Sequence, residues 1–214
     1  CWLQRFDGDS LRLAECGGLL KGPGIGNVLR GLGSCQLQLK HLDLCATQLS
    51  KVEAPALSKL LSSCQLETLN LAFNERLMTC EALQGLADAL EGEKCVLSEL
   101  VLKHCNISGK AGQPLGLWLR HIPCLRELNL NWNPEILSSR GLRGLFDGLS
   151  SCELALQRLQ MRGSEPDQAA EVALREIFQR HPTLTLDVDR SKSSGSVSSA
   201  SDVHPKSRKQ RHGS

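Results

Sequence analysis

One pattern constrains this chain more than any other: the hexad LxxLxL, which occurs five times at a near-constant interval. It reads Leu39-Lys-His-Leu-Asp-Leu44, Leu66-Glu-Thr-Leu-Asn-Leu71, Leu97-Ser-Glu-Leu-Val-Leu102, Leu125-Arg-Glu-Leu-Asn-Leu130 and Leu156-Gln-Arg-Leu-Gln-Met161. The starts lie 27, 31, 28 and 31 residues apart, and a degenerate copy, Leu11-Arg-Leu13, stands 31 residues ahead of the matching leucines in the first complete hexad. A fixed period of this size means stacked units, because each unit carries an apolar face that only a neighbour can cover. Within a hexad the leucines fall on one side of a short strand. Between hexads, leucines recur at helical spacing in residues 56–61, 81–90 and 141–149. A helix is wider than a strand, so one helix per strand bends the stack. The expected fold is an α/β solenoid: a curved horseshoe segment with a parallel concave sheet and convex helices.

The pattern closes with a helical stretch at residues 168–180, then Pro182 and a short strand at residues 184–188, which read together as a terminal cap. Residues 1–188 are expected to form the array. From residue 189 to 214 the chain is rich in Ser, Lys and Arg with almost no apolar residue, the composition of a disordered basic tail. At the other end, Cys1 stands where a methionine would begin a chain, and Trp2, Leu3 and Phe6 would crowd an exposed apolar edge. The expectation is a piece of a larger protein.

Composition narrows the partners. Aromatic residues make up 3% of the chain and tyrosine is absent, so aliphatic side chains must fill the core. The formal charge of +2 hides a division: residues 190–214 carry six Lys/Arg against one Asp, a tail of +5 on a body of −3. An acidic body lacks the cationic stripe that would neutralise a phosphate backbone, so direct nucleic-acid binding by the folded part is not expected. No apolar run approaches the ~18 residues of a membrane span, and no secretory segment is visible. Lys206, Arg208, Lys209 and Arg211 resemble a weak basic nuclear-import patch, with a short solvated charge run as the alternative.

Several catalytic and ligand-binding chemistries fail to assemble. Gly22-Pro-Gly-Ile-Gly26 after Lys21 resembles a phosphate loop only superficially, since neither GxxxxGK[ST] nor a full GxGxxG is present; those glycines read as a degenerate convex loop. There is no CxxC, and His121 with Cys124 lacks a second ligand pair, so neither metal nor cofactor is expected. Ser34-Cys35 follows no nucleophile-elbow pattern and the six histidines are scattered, which argues against an enzyme. The ten cysteines read as reduced thiols: Cys35, Cys64, Cys95, Cys124 and Cys152 each fall one to four residues before a hexad, where a free cysteine serves as a small buried hydrophobe. Trp118, beside Leu115 and Leu119, reads as helix packing.

Three residues past each hexad the ninth repeat position runs Cys16, Thr47, Asn74, Cys105, Asn133, Ser164. Long helical repeats, alternation of a Cys-type with an Asn-type unit, and a cysteine before the strand resemble ribonuclease-inhibitor-type leucine-rich repeats, including the C-terminal arrays of NOD-like receptors. The resemblance covers residues 8 to about 187. It departs after the asparagines, where Asn74-Glu-Arg-Leu and Asn133-Pro-Glu-Ile replace that family's usual Leu-Gly-Asp turn. In layout, degenerate repeats followed at once by a short tail, the chain also resembles the Tonsoku-like family of DNA repair proteins. That resemblance implies a nuclear scaffold at damaged replication forks, holding a repair partner in a complex that promotes homologous recombination; the family's histone reader is an ankyrin region and is not carried over. The alternative is the sensing and autoinhibitory end of a cytosolic NOD-like innate-immune receptor. An inhibitor of a secreted ribonuclease would need a longer, closed horseshoe. Sequence upstream of Cys1 separates these: ankyrin and tetratricopeptide repeats imply repair, a Walker A motif a receptor.

Both settings imply a protein partner on the concave face, where the third, fifth, seventh and eighth repeat positions point away from the core. The candidate contacts are His41, Asp43, Asn70, Phe73, Glu99, Val101, Lys103, His104, Asn129, Asn131, Trp132, Gln160 and Arg162, with Cys45, Thr68, Ala72, Glu127 and Arg158 on the same positions. A solvated polar face is the bland reading of most. Phe73 and Trp132 are either interface anchors, for which aromatics are enriched, or residues packed on their own turns. One prediction follows from the cysteine spacing alone: mass spectrometry of the native protein without reductant should find free thiols, and several defined intramolecular disulfides would refute the reduced-thiol reading together with an intracellular setting.

Overall fold

In the computed structural model the described residues are 6–15, 24–34, 38–92, 95–149, 155–163 and 165–189. They form one eight-stranded sheet in chain order. Strand β1 (Phe6–Asp7) runs antiparallel to β2 (Ser10–Arg12). The remaining strands are all parallel: β3 (His41–Asp43), β4 (Thr68–Asn70), β5 (Glu99–Val101), β6 (Glu127–Asn129), β7 (Arg158–Met161) and β8 (Thr185–Val188). Their register sets Leu11, Leu42, Leu69, Leu100, Leu128, Leu159 and Leu186 in one row. The degenerate first copy is therefore a full rung, and the closing strand continues the repeat instead of ending it. The β1 hairpin has no counterpart in the repeat pattern.

Among the described residues six α-helices lie outside the sheet: α1 (Gly24–Ser34), α2 (Ala54–Ser63), α3 (Cys80–Ala89), α4 (Gly112–Leu119), α5 (Ser139–Leu149) and α6 (Gln168–Arg180). Their starts carry local signals. Thr79 accepts from the Ala82 N–H and Asp167 from the Ala170 N–H, while Ser50 and Glu53 form a capping box ahead of α2. Residues 24–26, expected in a convex loop, instead open α1. Ile25, Val28, Leu29 and Leu32 recur at helical spacing and all four pack on the core, which outweighs the poor helix propensity of the glycines. Gly22 lies outside the described residues, as do Cys16, Cys35, Cys152, Ser164 and the whole of 190–214, so the tail and its import patch are not placed.

The core is one continuous aliphatic column of hexad leucines and the inward leucines of the helices, with Trp118 fully buried among them as its helical spacing suggested. The described cysteines are all free thiols. Cys64, Cys95 and Cys105 are buried, and burial pushes the Cys105 thiol up to about 12. Cys124 is exposed, against the expectation of a buried slot: it falls one residue before its hexad where Cys64 and Cys95 fall two, within a turn closed by Leu125 N–H donating to Ile122 O, and Ile122 is the residue buried there.

The ninth repeat position holds the polar skeleton. Asn133 is buried; its Nδ2 donates to the carbonyls of Leu102, Leu130 and Asn131, and its Oδ1 accepts from the N–H groups of Cys105 and Ile107. Asn74 does the same two repeats earlier, donating to Leu44, Leu71 and Ala72 and accepting from Leu49 N–H and the Thr47 hydroxyl.

On the convex side α4 and α5 approach with backbones almost touching. A Cβ on Gly116 would overlap the Leu145 carbonyl oxygen, and one on Gly148 would stand 2.8 Å from Gly116 itself. Both core and glycine packing give a stability prediction. Leu128→Ala should cost about 2–5 kcal/mol through lost transfer energy and a residual cavity, and Gly116→Ala about 1–3 kcal/mol through overpacking. Urea denaturation reads both; a Leu128→Ala midpoint equal to wild type would mean that this leucine is not in a central rung.

Candidate functional site on the concave face

The outward positions of the strands do not form one uniform surface. In the fifth repeat position the short polar side chains bend back onto their own strand ends: Asp43 Oδ1 accepts from Cys45 N–H, Asn70 Oδ1 from Ala72 N–H, and Asn129 Oδ1 from Asn131 N–H, each at 3.0 Å. These are Asx-type closures of a strand. The amides of Asn129 and Asn131 then converge on Gln160 Oε1 at 2.8 and 3.4 Å, and Asn131 Oδ1 accepts the Arg162 N–H. Ala72, placed with the outward residues by its position, is buried.

The eighth position is built differently. Glu15, Ala46, Phe73, His104 and Trp132 all sit at positive φ, between 54° and 62°, and Gly163 follows at 105°. Each donates its N–H, or is matched, in a continuing parallel ladder: Ala46 to Ala72 O, Phe73 to Lys103 O, His104 to Asn131 O, Trp132 to Arg162 O. The rungs therefore share the spacing of the sheet, ~4.8 Å between neighbouring strands. Three consecutive rungs carry rings. Phe73 stacks on His104 with centroids 4.8 Å apart and planes at 15°, and His104 stacks on Trp132 at 5.4 Å and 7°. The outer two remain 45% and 49% exposed, so this is a ring stack in solvent and not a core. Lys103 sets its Nζ 5.9 Å from the Phe73 centroid. Gly163 is required where it stands: a Cβ there would meet Trp132 Cδ2 at 2.7 Å, because the indole lies over the glycine backbone.

Charge is mostly paired off. Arg12 binds Asp43 at 3.1 Å, Lys40 Glu67 at 3.0 Å, Arg158 Glu127 at 3.6 Å, and Arg162 Asp187 at 2.7 Å. Among the described residues no carboxylate lies within ion-pair distance of Lys103. The Asp187 pairing holds the Arg162 guanidinium above its ordinary value. The face thus divides in three. Phe73, Lys103, His104 and Trp132 meet at the ladder, with the amide cluster of Asn129, Asn131 and Gln160 beside it and Arg162 at its edge. His41, whose Nδ1 lies 2.9 Å from Thr68 Oγ1, sits with Asp43, Asn70, Glu99 and Val101 around a separate hollow over β2 to β5. Ala46 and Gly163 were not singled out from the sequence, although the eighth-position register that marks Phe73 marks them too. Among the described residues no three His, Cys, Asp or Glu side chains converge as a metal cluster, and no helix is long and apolar enough to cross a membrane.

No family model matches the chain. It is similar to ribonuclease inhibitor of Mus musculus, 32% identical over 143 residues, which is 65% of this chain and 30% of that protein. It is also similar to NACHT, LRR and PYD domains-containing protein 6 of Rattus norvegicus, 35% identical over 54% of this chain, and to protein 9 of that series from Bos taurus, 30% identical over 78% of it. The fold is a leucine-rich-repeat solenoid. The chain spans less than a third of the length of these relatives, with shares of 30%, 13% and 17%. The ring ladder gives its own prediction: Gly163→Ala should strain the backbone at positive φ, at about 1–3 kcal/mol, and push Trp132 outward. Acrylamide quenching of tryptophan fluorescence should increase; an unchanged quenching constant and melting temperature would show that the indole does not rest on Gly163.

Proposed function

We propose that this array is a non-catalytic protein-interaction module whose concave face holds another protein. One observation supports this above the rest: three rings stand stacked, the outer two solvent-exposed, and fixed by backbone geometry on a surface where the other polar groups are largely satisfied internally. Exposed aromatics that are already ordered lose little entropy on binding, and aromatic side chains dominate interface hot spots. The similarity to ribonuclease inhibitor, a protein named for acting on another protein, points the same way.

The finer setting is also a proposal. A nuclear scaffold in replication-fork repair, with the repeats holding a repair partner, rests on the layout of degenerate repeats and basic tail. The alternative, the repeats of a cytosolic NOD-like receptor, draws on the similarity to the NACHT, LRR and PYD domains-containing proteins. Histone or nucleic-acid contact is not part of either reading for these residues.

Two measurements test these readings. Phe73→Ala with Trp132→Ala should weaken partner binding by at least ~2 kcal/mol, roughly thirty-fold in Kd, with native circular dichroism, while Arg143→Ala with Gln179→Ala on the convex side should bind as wild type; the reverse outcome would move the binding surface to the helices. For the setting, deleting residues 191–214 should lower nuclear accumulation of a reporter fusion without altering its melting temperature, and unchanged localisation would leave the nuclear reading without its import signal.

A further inference from the structure

The ring ladder is closed at one end and open at the other. At the C-terminal end Trp132 lies over Gly163, whose missing side chain leaves room for nothing else. At the N-terminal end Phe73 has one face covered by His104 and the opposite face turned toward the rung of Ala46. Ala46 has the same backbone as its neighbours, φ 54° against 59° and 62° at Phe73 and Trp132, and the same ladder hydrogen bond. It carries only a methyl group. The sheet spacing that brings Phe73 and His104 to 4.8 Å therefore leaves a slot one ring thick above Ala46.

The charges around that slot differ on its two sides. Glu15, exposed, occupies the rung beyond Ala46. Lys103, one repeat beyond Phe73, sets its Nζ 5.9 Å from the Phe73 centroid, so its ammonium lies beside the ring that lines the slot. Four other cations of the face have carboxylates of their own at 2.7–3.6 Å, and Lys103 has none among the described residues.

We infer that the slot above Ala46 takes an aromatic side chain of the partner, carried on a segment with an acidic residue close by that pairs with Lys103. The partner's ring extends the stack of Phe73, His104 and Trp132 by one rung, in the offset-stacked geometry that aromatic pairs favour. Its carboxylate faces Lys103 and away from Glu15, which fixes the direction in which the segment lies along the face. This inference rests on the concave-face reading above and goes further by naming the chemistry of the contact.

The test is selection of a random twelve-residue peptide display library on the full chain and on four variants, of which Trp132→Ala reports dependence on the concave face as a whole. Wild type should enrich peptides with Trp, Tyr or Phe and an Asp or Glu within two or three residues. Ala46→Phe fills the slot with the chain's own ring, which Phe73 shows the backbone accepts, and should lose that enrichment at least ten-fold while melting no lower than wild type; Ala46→Gly leaves the slot empty and should retain it. Lys103→Glu should keep the aromatic and exchange the acid for Lys or Arg. Enriched peptides without aromatics, or equal enrichment on Ala46→Phe, overturn the proposal, and acids retained on Lys103→Glu overturn the part assigned to Lys103. Peptides that depend on Trp132 but not on Ala46 would leave the concave-face reading standing and remove this one. Peptides that depend on neither would remove both.

Discussion

The structure depends on two buried asparagines. Each strand of a parallel stack ends in a turn toward a helix, and the carbonyls of that turn face an interior without water. An unpaired buried carbonyl costs about 1–3 kcal/mol, so a solenoid of leucines alone would lose at every turn part of what it gains by burial. Asn133 meets this by donating to carbonyls of two successive repeats, Leu102 and Leu130, and Asn74 does so for Leu44 and Leu71. Because both ends of each amide are used, the residue also fixes the offset between repeats.

That double use gives the alternation at the ninth position a physical reason. Asn133 reaches back to accept from the N–H groups of Cys105 and Ile107, and Asn74 reaches back to Leu49 and Thr47. The loop of the preceding repeat is thereby satisfied from its neighbour and needs no amide itself. Its ninth position has only to fill space and cap one carbonyl, which Thr47 does through Leu44 O and Cys105 through Leu71 O. Repeats come in pairs because one asparagine serves two turns. The 27- or 28-residue and 31-residue spacings alternate for the same positions.

How much of this was legible in the sequence follows from what sets each feature. The leucine rows, the strand order and the fold were readable because a period of about thirty residues with a fixed hexad leaves one way to bury the apolar face. Trp118 was readable for the same reason: its helical spacing from Leu115 put it inward. Cys124 was misread because the turn before its hexad buries Ile122 instead, and residues 24–26 because glycine suggests a loop wherever packing is not visible. The site was half legible. Phe73 and Trp132 stood out as rare aromatics at an outward position, but their stacking on His104 depends on left-handed backbone and inter-repeat distance, neither of which a residue list contains. Ala46 and Gly163 matter through the absence of a side chain, and that acquires meaning only when the neighbouring rungs are known.

The same geometry decides where recognition energy can reside on this face. The ion pairs of Arg12, Lys40, Arg158 and Arg162 stand in solvent on the basic side, where screening leaves each of them little to contribute. A partner that broke one would recover little, and one that ignored them would meet a surface already neutralised. The amide cluster around Gln160 is likewise committed, since Asn129 and Asn131 spend both their oxygens on backbone and both their nitrogens on Gln160. Among the described residues, apolar ring area held in place by the sheet is left uncommitted, and the Lys103 ammonium beside it has no carboxylate within ion-pair distance. Ring area in solvent is the part of the face whose burial gains most per residue, at roughly 25 cal/mol per Å² removed from water. Its order is already supplied by the left-handed rungs, so a partner meets that gain with little of the usual cost of fixing side chains.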